Sequence, residues 1–270
     1  MSTDTAPAPA APALTAPLPA PAVTELDTVE WREPAGINPR GTLVVLGGRG
    51  EPPEVYARFG ARLSADAYRV VVVSTADPAG PVARGEIVSL LADPALVAPV
   101  VLVGSDTGAR LALDLVSSAD ATPAALVLAG LPVEGAAADA AWLSDEIGAR
   151  TACPTHQGVL RRSSRGGLAD RPVLPRLPRR PDLRGVPVLA LHGAEDVISP
   201  LPAVLDLYAS AGVREVQVVD GGRHDIVNDV THRSVAATLV LFLERLRLAV
   251  DQDRGLAPLV VARATGRPAR

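Results

Sequence analysis

The sequence contains no lysine, so arginine supplies all 26 of its basic residues. This absence excludes chemistry that needs an amine side chain, such as a Schiff base with pyridoxal phosphate or the phosphate-binding lysine of a P-loop. The single cysteine, Cys153, excludes an internal disulfide and a zinc site built from several thiolates. Histidine is also rare, with four residues, so a histidine that follows a predicted strand is a stronger candidate for a functional residue.

Long apolar runs and a strong net charge are missing as well. No stretch approaches about 18 apolar residues without proline, glycine or charge, so we expect no membrane span. The net charge of −4 gives no electrostatic reason to expect a nucleic acid partner. Asp4 stands where a signal peptide has basic residues, and prolines interrupt the apolar part. We expect a cytoplasmic protein that acts on a small molecule, and the sequence carries no signal for an oligomeric state.

Three regions differ in composition along the chain. Residues 1–25 are mostly alanine, proline and threonine, and the repeated prolines disfavour both helices and strands, which predicts a disordered tail. Residues 26–250 are predicted to form the folded domain, because a chain of 270 residues with 48% hydrophobic content can bury a substantial core. Residues 251–270 are predicted to form a C-terminal tail.

Short apolar runs alternate with helical patterns over most of the domain. This alternation is typical of a mostly parallel sheet that helices cover on both faces, so the predicted fold class is α/β. A strand near Val29–Arg32 is predicted at an antiparallel edge. The predicted parallel strands are Thr42–Leu46, Tyr68–Val73, Val100–Val103, Ala125–Ala129, Val186–Leu191 and Glu215–Val219, and the predicted helices cover Pro53–Ser64, Val82–Ala92, 107–117 and Arg233–Leu248.

An insertion at 132–184 interrupts this alternation, because the segment is rich in alanine, arginine, proline and glycine and has no strand-like run. It lies between two predicted strands, where α/β enzymes often carry a lid over the carboxyl ends of the strands. Cys153 and His156 lie within it, but two soft ligands do not make a zinc site. We predict a packed Cys153 and an exposed His156, which would touch substrate if the lid folded over the site.

The third parallel strand is followed by the turn Gly104-Ser105-Asp106-Thr107-Gly108, which leads into a predicted helix. Small residues two positions before and after a polar centre are typical of a nucleophile elbow, where larger side chains would collide with the backbone. Asp106 occupies that centre, whereas a turn centred on Ser105 would place larger residues in the tight positions. The alternative is that Asp106 only caps the following helix.

Two further polar residues follow predicted strands. Asp196 comes after the fifth parallel strand, next to Glu195, which is the weaker candidate for an acid. His224 comes after the sixth strand and a pair of glycines that free the backbone to direct an imidazole inward. A turn carboxylate and a structural histidine are the simpler interpretations. The chain order of nucleophile, acid and histidine, each after a strand, favours a triad of Asp106, Asp196 and His224.

A glycine-rich loop, Gly47-Gly48-Arg49-Gly50-Glu51, follows the first parallel strand. Such a loop can direct a backbone N–H group, from Gly48 or Arg49, at a developing oxyanion. The N–H of Thr107 would complete the usual pair of donors. A dinucleotide site would require glycine at position 53, where the chain has proline, so that alternative has little support.

These motifs resemble the α/β-hydrolase superfamily from about Gly41 to Arg247. Within it, they are similar to the branch of monoacylglycerol lipases, lysophospholipases and S33 aminopeptidase-like proteins. The resemblance implies an eight-stranded sheet, a lid at 132–184 and Asp196 as the acid of the triad. The matching segments are Gly47–Glu51 with Tyr56, Ala61 and Leu63, then His192–Val197, and Gly221–His224 with Asn228.

Two positions depart from that branch, because Gly47 replaces a histidine and Asp106 replaces the nucleophilic serine. The aspartate is similar to the branch of haloalkane dehalogenases, haloacetate dehalogenases and epoxide hydrolases. There the carboxylate forms an alkyl ester, and the histidine activates water to hydrolyse it. Arg110 matches the second arginine of the haloacetate dehalogenase motif D-R-G-x-R and would bind a substrate carboxylate, unless it is a solvated helix residue.

Hydrolysis of a small organic substrate is the expected activity, with ester, carbon–halogen and epoxide bonds all open. Epoxide hydrolases carry tyrosine donors in the lid, whereas the tyrosines of this chain lie outside the insertion. No cofactor and no metal is implied, because this chemistry needs only protein groups. The alternative is a catalytically silent protein that retains the fold and binds a small molecule.

Overall fold

The computed structural model describes residues 26–74, 80–133, 140–163 and 177–251. Its strands are β1 (Asp27–Trp31), β2 (Gly41–Leu46), β3 (Tyr68–Ser74), β4 (Val100–Ser105), β5 (Ala125–Ala129), β6 (Val188–Gly193) and β7 (Glu215–Val219). They form one sheet in the order β1-β3-β2-β4-β5-β6-β7. β1 pairs with β3 in antiparallel fashion, and every other neighbouring pair is parallel. The predicted α/β class is confirmed.

All six predicted parallel strands are present. Apolar side chains fill both faces of β2 to β6, which helices cover, whereas the edge strand β7 exposes Gln217 and Val218. The predicted antiparallel edge is β1, whose Val29 pairs with Val72 of β3. β6 begins at Val188, later than predicted, since Pro187 has no N–H to donate to a neighbouring strand. The described residues hold seven strands instead of the predicted eight. The predicted tails at 1–25 and 251–270 lie outside the described part of the chain, except for Asp251, which is the last residue of the helix that begins at His232.

Helices connect the strands, and none in the described residues is long and apolar enough to cross a membrane. The predicted helix at Pro53–Ser64 begins as a 3₁₀ turn. The helix at Leu201–Ala211 was not predicted, although proline stands in its first turn, where it is common. The helices are α1 (Ala57–Ala65), α2 (Pro81–Leu91), α3 (Thr107–Ser117), α4 (Glu146–Arg150), α5 (Pro154–Ser163), α6 (Leu201–Ala211) and α7 (His232–Asp251), with 3₁₀ helices at Pro53–Tyr56 and Ala140–Asp145.

Two apolar layers, one on each face of the sheet, receive alternate side chains of each strand. In β2, Leu43 and Val45 pack in the layer that contains α1 and α7, whereas Val44 and Leu46 pack in the layer that contains α3. A fully buried valine or leucine contributes roughly 1.5–3 kcal/mol relative to an exposed one. The two layers therefore hold the ends of the strands in fixed positions.

The described part of the insertion consists of a 3₁₀ helix followed by α4 and α5. Leu160 of α5 is buried in the same apolar layer as α1 and α7. The hydroxyl of Thr151 donates to the carboxylate of Asp229 at 2.8 Å, which ties the insertion to the loop after β7. These described residues of the insertion therefore pack onto the domain, and the role of the insertion as a lid stays a prediction.

Candidate active site

Asp106 lies in a strained turn between β4 and α3. Its backbone angles are φ 49° and ψ −121°, a conformation that residues other than glycine rarely adopt. A Cβ atom on Gly104 would lie 2.4 Å from Cα of Ala109, and one on Gly108 would lie 2.1 Å from the carbonyl oxygen of Leu46. Glycine is therefore required at both positions. The Asp106 side chain makes no capping hydrogen bond to α3, so the alternative of a simple helix cap is wrong.

A hydrogen-bonded chain of side chains links Asp106 to His224 and Asp196. Nε2 of His224 lies 3.2 Å from Oδ1 of Asp106, and Nδ1 lies 2.8 Å from Oδ2 of Asp196. The other oxygen of Asp196 accepts two backbone N–H groups of the turn that follows it, which fix its orientation. All three side chains are buried, whereas Glu195, the weaker candidate, is exposed. The structure thus brings together the three side chains that the strand ends predict.

The second oxygen of Asp106 lies among positive groups. Oδ2 accepts the backbone N–H of Arg49 at 3.0 Å. The same oxygen lies 3.8 Å from Nε of Arg49 and 3.7 Å from Nη2 of Arg150. Arg49 also pairs through Nη2 with Glu146 of α4 at 3.3 Å, which places its guanidinium between two carboxylates. The two oxygens of Asp106 therefore differ, with an imidazole at Oδ1 and an amide and two guanidinium groups at Oδ2.

These contacts shift the pKa values of Asp106 and His224 in opposite directions. Burial alone would raise the pKa of Asp106, but the hydrogen bond from His224 and the charges of Arg49 and Arg150 hold it well below its usual value. Burial alone would lower the pKa of His224, whereas the carboxylates of Asp196 and Asp106 raise it to about 10. At neutral pH the site therefore holds an ionised Asp106 beside a protonated His224.

Arg150, the last residue of α4, connects the insertion to this site. Its side chain is fully buried, with Nη2 2.6 Å from Oε1 of Glu51 and Nε 2.9 Å from Oδ2 of Asp225. Nη1 donates to the carbonyl oxygen of Arg49 at 3.2 Å. Burial opposes the charged form, but the nearby carboxylates hold the pKa of Arg150 well above its usual value. Arg150 could not be predicted from the sequence, because no local pattern distinguishes it from the other arginines.

Glu51 holds the glycine-rich loop from inside the protein. Its Oε2 accepts the hydroxyl of Tyr56 and the backbone N–H of Gly48, the latter at 3.2 Å. The N–H of Gly48 also donates to the Tyr56 hydroxyl oxygen at 2.8 Å. This N–H, one of the predicted oxyanion donors, is therefore directed at Glu51 and Tyr56 and not at Asp106. Burial raises the pKa of Glu51, and the charge of Arg150 opposes that shift only in part.

His156 is buried, with 1% of its surface exposed, so the prediction of an exposed histidine is wrong. Its Nε2 lies 3.0 Å from Oδ2 of Asp225, an acceptor that lies far away in the sequence. Cys153 is buried, as predicted. Ligand atoms of Glu51, His156 and Asp225 lie within 4.8 Å of one another, the spacing of a metal site. The guanidinium of Arg150 contacts both carboxylates and already supplies the positive charge, so this donor set does not fit a metal ion.

Thr107 and Arg110 lie in the first turn of α3. The N–H of Thr107 begins the helix next to Asp106 and therefore has no acceptor within the helix. Arg110 is 4% exposed, and its Nη1 lies 3.5 Å from the carbonyl oxygen of Pro132, so the alternative of a solvated residue is wrong. The backbone of Arg49 directs its N–H at Asp106, whereas the guanidinium of Arg110 reaches the start of the insertion.

No family model and no curated protein matches this sequence. A monoglyceride lipase from Saccharomyces cerevisiae is similar in structure, with a TM-score of 0.64 and 11% identity over 82% of this chain and 92% of that one. The chain has the α/β-hydrolase fold. Two other similar structures are a monoacylglycerol lipase from Paleococcus ferrophilus (TM-score 0.59, 15% identity, 83% and 98% covered) and an enol-lactonase from Burkholderia xenovorans (0.60, 17%, 81% and 96%). At these identities the similarity establishes the α/β-hydrolase fold alone.

The α/β-hydrolase topology explains why residues far apart in the sequence meet. Asp106 follows β4, Asp196 follows β6, and His224 follows β7, and these strands run parallel to one another. The carboxyl ends of parallel strands share one edge of the sheet, where ligands bind in folds of this class. The loop that holds Arg49 follows β2 and reaches the same edge.

Proposed function

We propose that the protein is a hydrolase of a small organic substrate in which Asp106 is the nucleophile, His224 the acid–base group and Asp196 the acid that orients it. The main support is that the two oxygens of the Asp106 carboxylate have different partners. Oδ1 faces Nε2 of His224 at 3.2 Å, and Oδ2 accepts the N–H of Arg49 at 3.0 Å. The lipases and the lactonase among the similar structures agree with hydrolysis as the reaction class.

The first step of the proposed reaction is attack by Oδ1 of Asp106 on a saturated substrate carbon. The low pKa of Asp106 keeps it ionised, so it needs no base to attack. A bond forms between Oδ1 and the carbon as the bond to the leaving group breaks, and the product is an ester on Asp106. The ester has no negative charge, so His224 loses one of the two anions that raise its pKa.

The second step of the proposed reaction hydrolyses this ester. After the ester forms, His224 releases its proton to the leaving group or to solvent. The neutral imidazole then takes a proton from water, and the water oxygen attacks Cγ of Asp106. Negative charge then develops on Oδ2, which already accepts the N–H of Arg49 and lies within 4 Å of the guanidinium groups of Arg49 and Arg150. The intermediate expels the alcohol oxygen, which takes the carboxyl proton, and Asp106 is ionised again.

A trapped ester tests this proposal most simply. We expect the His224→Ala variant, mixed with a panel of esters, haloacids, bromoalkanes and epoxides, to gain the mass of the transferred group of a reactive compound, because water is no longer activated. Intact mass spectrometry and peptide mapping would locate the adduct on Asp106. His232→Ala, a change at the start of α7, is the matched control, and we expect no accumulation there.

The adduct must disappear in a double variant that also carries Asp106→Ala. Turnover that survives Asp106→Ala in the otherwise unchanged protein would remove the carboxylate from the mechanism. An adduct on another residue would contradict the proposed role of Asp106.

One observation favours the second candidate function, a silent protein that binds a small molecule. Asp106 is 2% exposed and lies near two arginines, whose charges make a carboxylate a weaker nucleophile. That candidate predicts neither adduct nor turnover with the panel, while a bound compound raises the melting temperature of the protein. It also predicts that Asp106→Ala changes the affinity for that compound without changing any reaction.

A further inference from the structure

Two buried polar atoms beside the active site have no hydrogen-bond partner among the described residues. They are Nε of Arg49 and Oε1 of Glu146. Nη2 of Arg49 lies 3.3 Å from Oε1 of Glu146, so the two side chains form an ion pair, yet neither unpaired atom makes a hydrogen bond. A buried donor or acceptor without a partner costs free energy, so these two atoms are suited to bind a ligand that supplies both partners.

Arg49 and Glu146 lie on the side of Asp106 that faces solvent. Of the charged side chains that contact the Asp106 carboxylate, those of His224 and Arg150 are fully buried, whereas that of Arg49 is 12% exposed. Glu146, the first residue of α4, is 7% exposed in its side chain and contacts the guanidinium of Arg49. A substrate that approaches Asp106 from solvent therefore passes this pair of side chains.

The opposite charges of Arg49 and Glu146 determine the kind of group that the pair can bind. Burial raises the pKa of Glu146, and the positive charges of Arg49 and Arg150 limit that rise. The ionised carboxylate only accepts hydrogen bonds, and the guanidinium only donates them. The carboxylate of a haloacid would satisfy Arg49 but lie against Glu146, and an ammonium group would satisfy Glu146 but lie against Arg49. The pair therefore favours an uncharged group with both a donor and an acceptor.

A carboxamide has the hydrogen-bonding groups that this pair lacks. Its carbonyl oxygen can accept from Nε of Arg49, and its NH₂ group has two donors, one of which can reach Oε1 of Glu146. A hydroxyl group has one donor, which lies on the same atom as its acceptor, so it must serve both side chains from a single point. An ester accepts from Arg49 but leaves Glu146 unpaired. The amide is therefore the uncharged group that suits the pair best.

We propose that Arg49 and Glu146 recognise a carboxamide on the substrate, and that the saturated carbon next to its carbonyl group carries the leaving group that Asp106 displaces. This inference depends on the proposed function. Nε of Arg49 lies 3.8 Å from Oδ2 of Asp106, so an amide oxygen bound to Nε brings the neighbouring carbon to the Asp106 carboxylate. Oδ1 then bonds to that carbon, the leaving group departs with the electron pair of its bond, and the ester on Asp106 is hydrolysed to a 2-hydroxy amide.

Four bromides that differ in one polar group test this inference: 2-bromoacetamide, methyl bromoacetate, bromoacetate and 2-bromoethanol. Labelling of Asp106 would be followed by intact mass spectrometry and peptide mapping in His224→Ala, the parent variant, in which the ester should accumulate. Each rate is divided by the rate at which the same bromide alkylates acetate ion in water, which removes differences in intrinsic reactivity. On this scale we expect 2-bromoacetamide to label Asp106 about 10-fold or more faster than each of the others.

Glu146→Gln, added to the parent variant, tests the pair itself, because it removes the charge that opposes a carboxylate and keeps the shape of the side chain. We expect the ratio of bromoacetate labelling to 2-bromoacetamide labelling to rise about 10-fold. Glu54→Gln, an exposed change in the 3₁₀ helix at Pro53–Tyr56, is the matched control and should keep the ratio of the parent. If Glu146→Gln does not fold, Arg49→Leu provides the second measurement. Loss of its donor should reduce labelling by 2-bromoacetamide relative to 1-bromopropane about 10-fold.

Three results would overturn the inference and leave Asp106 as the nucleophile. The first is equal normalised labelling by 2-bromoacetamide and methyl bromoacetate. The second is faster normalised labelling by bromoacetate or 2-bromoethanol than by the amide. The third is a ratio that stays the same in Glu146→Gln. Labelling of Asp106 by none of the bromides would instead overturn the inference and contradict the proposed function as well.

Discussion

At the scale of single residues, the site consists mainly of buried charged side chains whose charges compensate one another. Arg150 lies within 4 Å of carboxylate oxygens on Glu51, Asp106 and Asp225. A buried ion pair adds little stability relative to apolar groups of the same shape, but loss of one partner leaves a charge uncompensated. Asp106, Asp196 and His224 could be predicted because each follows a strand. Arg150 could not, because its partners lie 75 and 99 residues away in the sequence.

We predict that Arg150→Met destabilises the protein by roughly 3–5 kcal/mol, because Glu51 and Asp225 would each lose a buried cation. Urea unfolding at neutral pH measures this change in free energy. Arg161→Met, an exposed substitution in α5, is the matched control and should stay within about 0.5 kcal/mol of the wild type. A loss below about 1 kcal/mol for Arg150→Met would show that the carboxylates do not depend on Arg150.

We predict that His224 makes the stability of the protein fall in alkaline solution. Asp196 and Asp106 raise its pKa from 6.5 to about 10 in the folded state. The contribution to stability is therefore fully present below about pH 6.5 and is lost as pH rises towards 10. Thermal unfolding of the wild type and His224→Gln across this range measures the difference. A difference in melting temperature that stays constant with pH would contradict the raised pKa.

At the scale of elements, the turn between β4 and α3 is the feature that places Asp106. The strands around it could be predicted within a residue or two, since unbroken apolar runs occur where both sheet faces are buried. The strained angles at Asp106 follow from the two glycines that let α3 approach β2 and β4. α4 could not be predicted, because Ile147 is the one large apolar residue among its five and its other contacts come from distant loops.

We predict that Gly108→Ala disturbs this turn, because the added methyl would lie 2.1 Å from the backbone of β2. Overpacking of this kind costs about 1–3 kcal/mol and would also reduce activity by displacing Asp106. Gly85→Ala in α2 is the matched control, since nothing lies within 4 Å of its added methyl. It should raise stability by up to about 1 kcal/mol. Equal stability of the two variants in denaturant unfolding would contradict the tight approach.

At the scale of the whole molecule, the insertion completes a site that the sheet begins. The sheet supplies Asp106 and His224 from its carboxyl edge, and the insertion supplies Arg150 to the same carboxylate. The position of the insertion in the sequence could be predicted from the break in alternation. The contacts that anchor the insertion could not be predicted, because Asp229 and Asp225 contact it only in the folded chain.

We predict that Asp229→Asn loosens the insertion. Asp229 accepts the hydroxyl of Thr151 and the N–H of Ala152 at Oδ1 and the N–H of Arg223 at Oδ2, all at 2.8 Å. Asparagine keeps one acceptor oxygen, so its amide nitrogen faces at least one donor that it cannot accept. The expected cost is about 1–3 kcal/mol. Hydrogen exchange should speed up in α4 and α5 more than in the strands. Uniform acceleration across the sheet would instead indicate a global loss of stability without a specific role in anchoring.

Oxygen labelling in a single turnover tests the role of Asp106 most directly. Protein in excess over a reactive probe from the panel would be allowed to react once in water enriched in ¹⁸O, and the product and the peptide that contains Asp106 would be weighed. The mechanism predicts that the label enters the carboxylate of Asp106 while the product carries oxygen from the protein. Label in the first product with an unlabelled Asp106 would show that water attacks the substrate itself, which contradicts the mechanism.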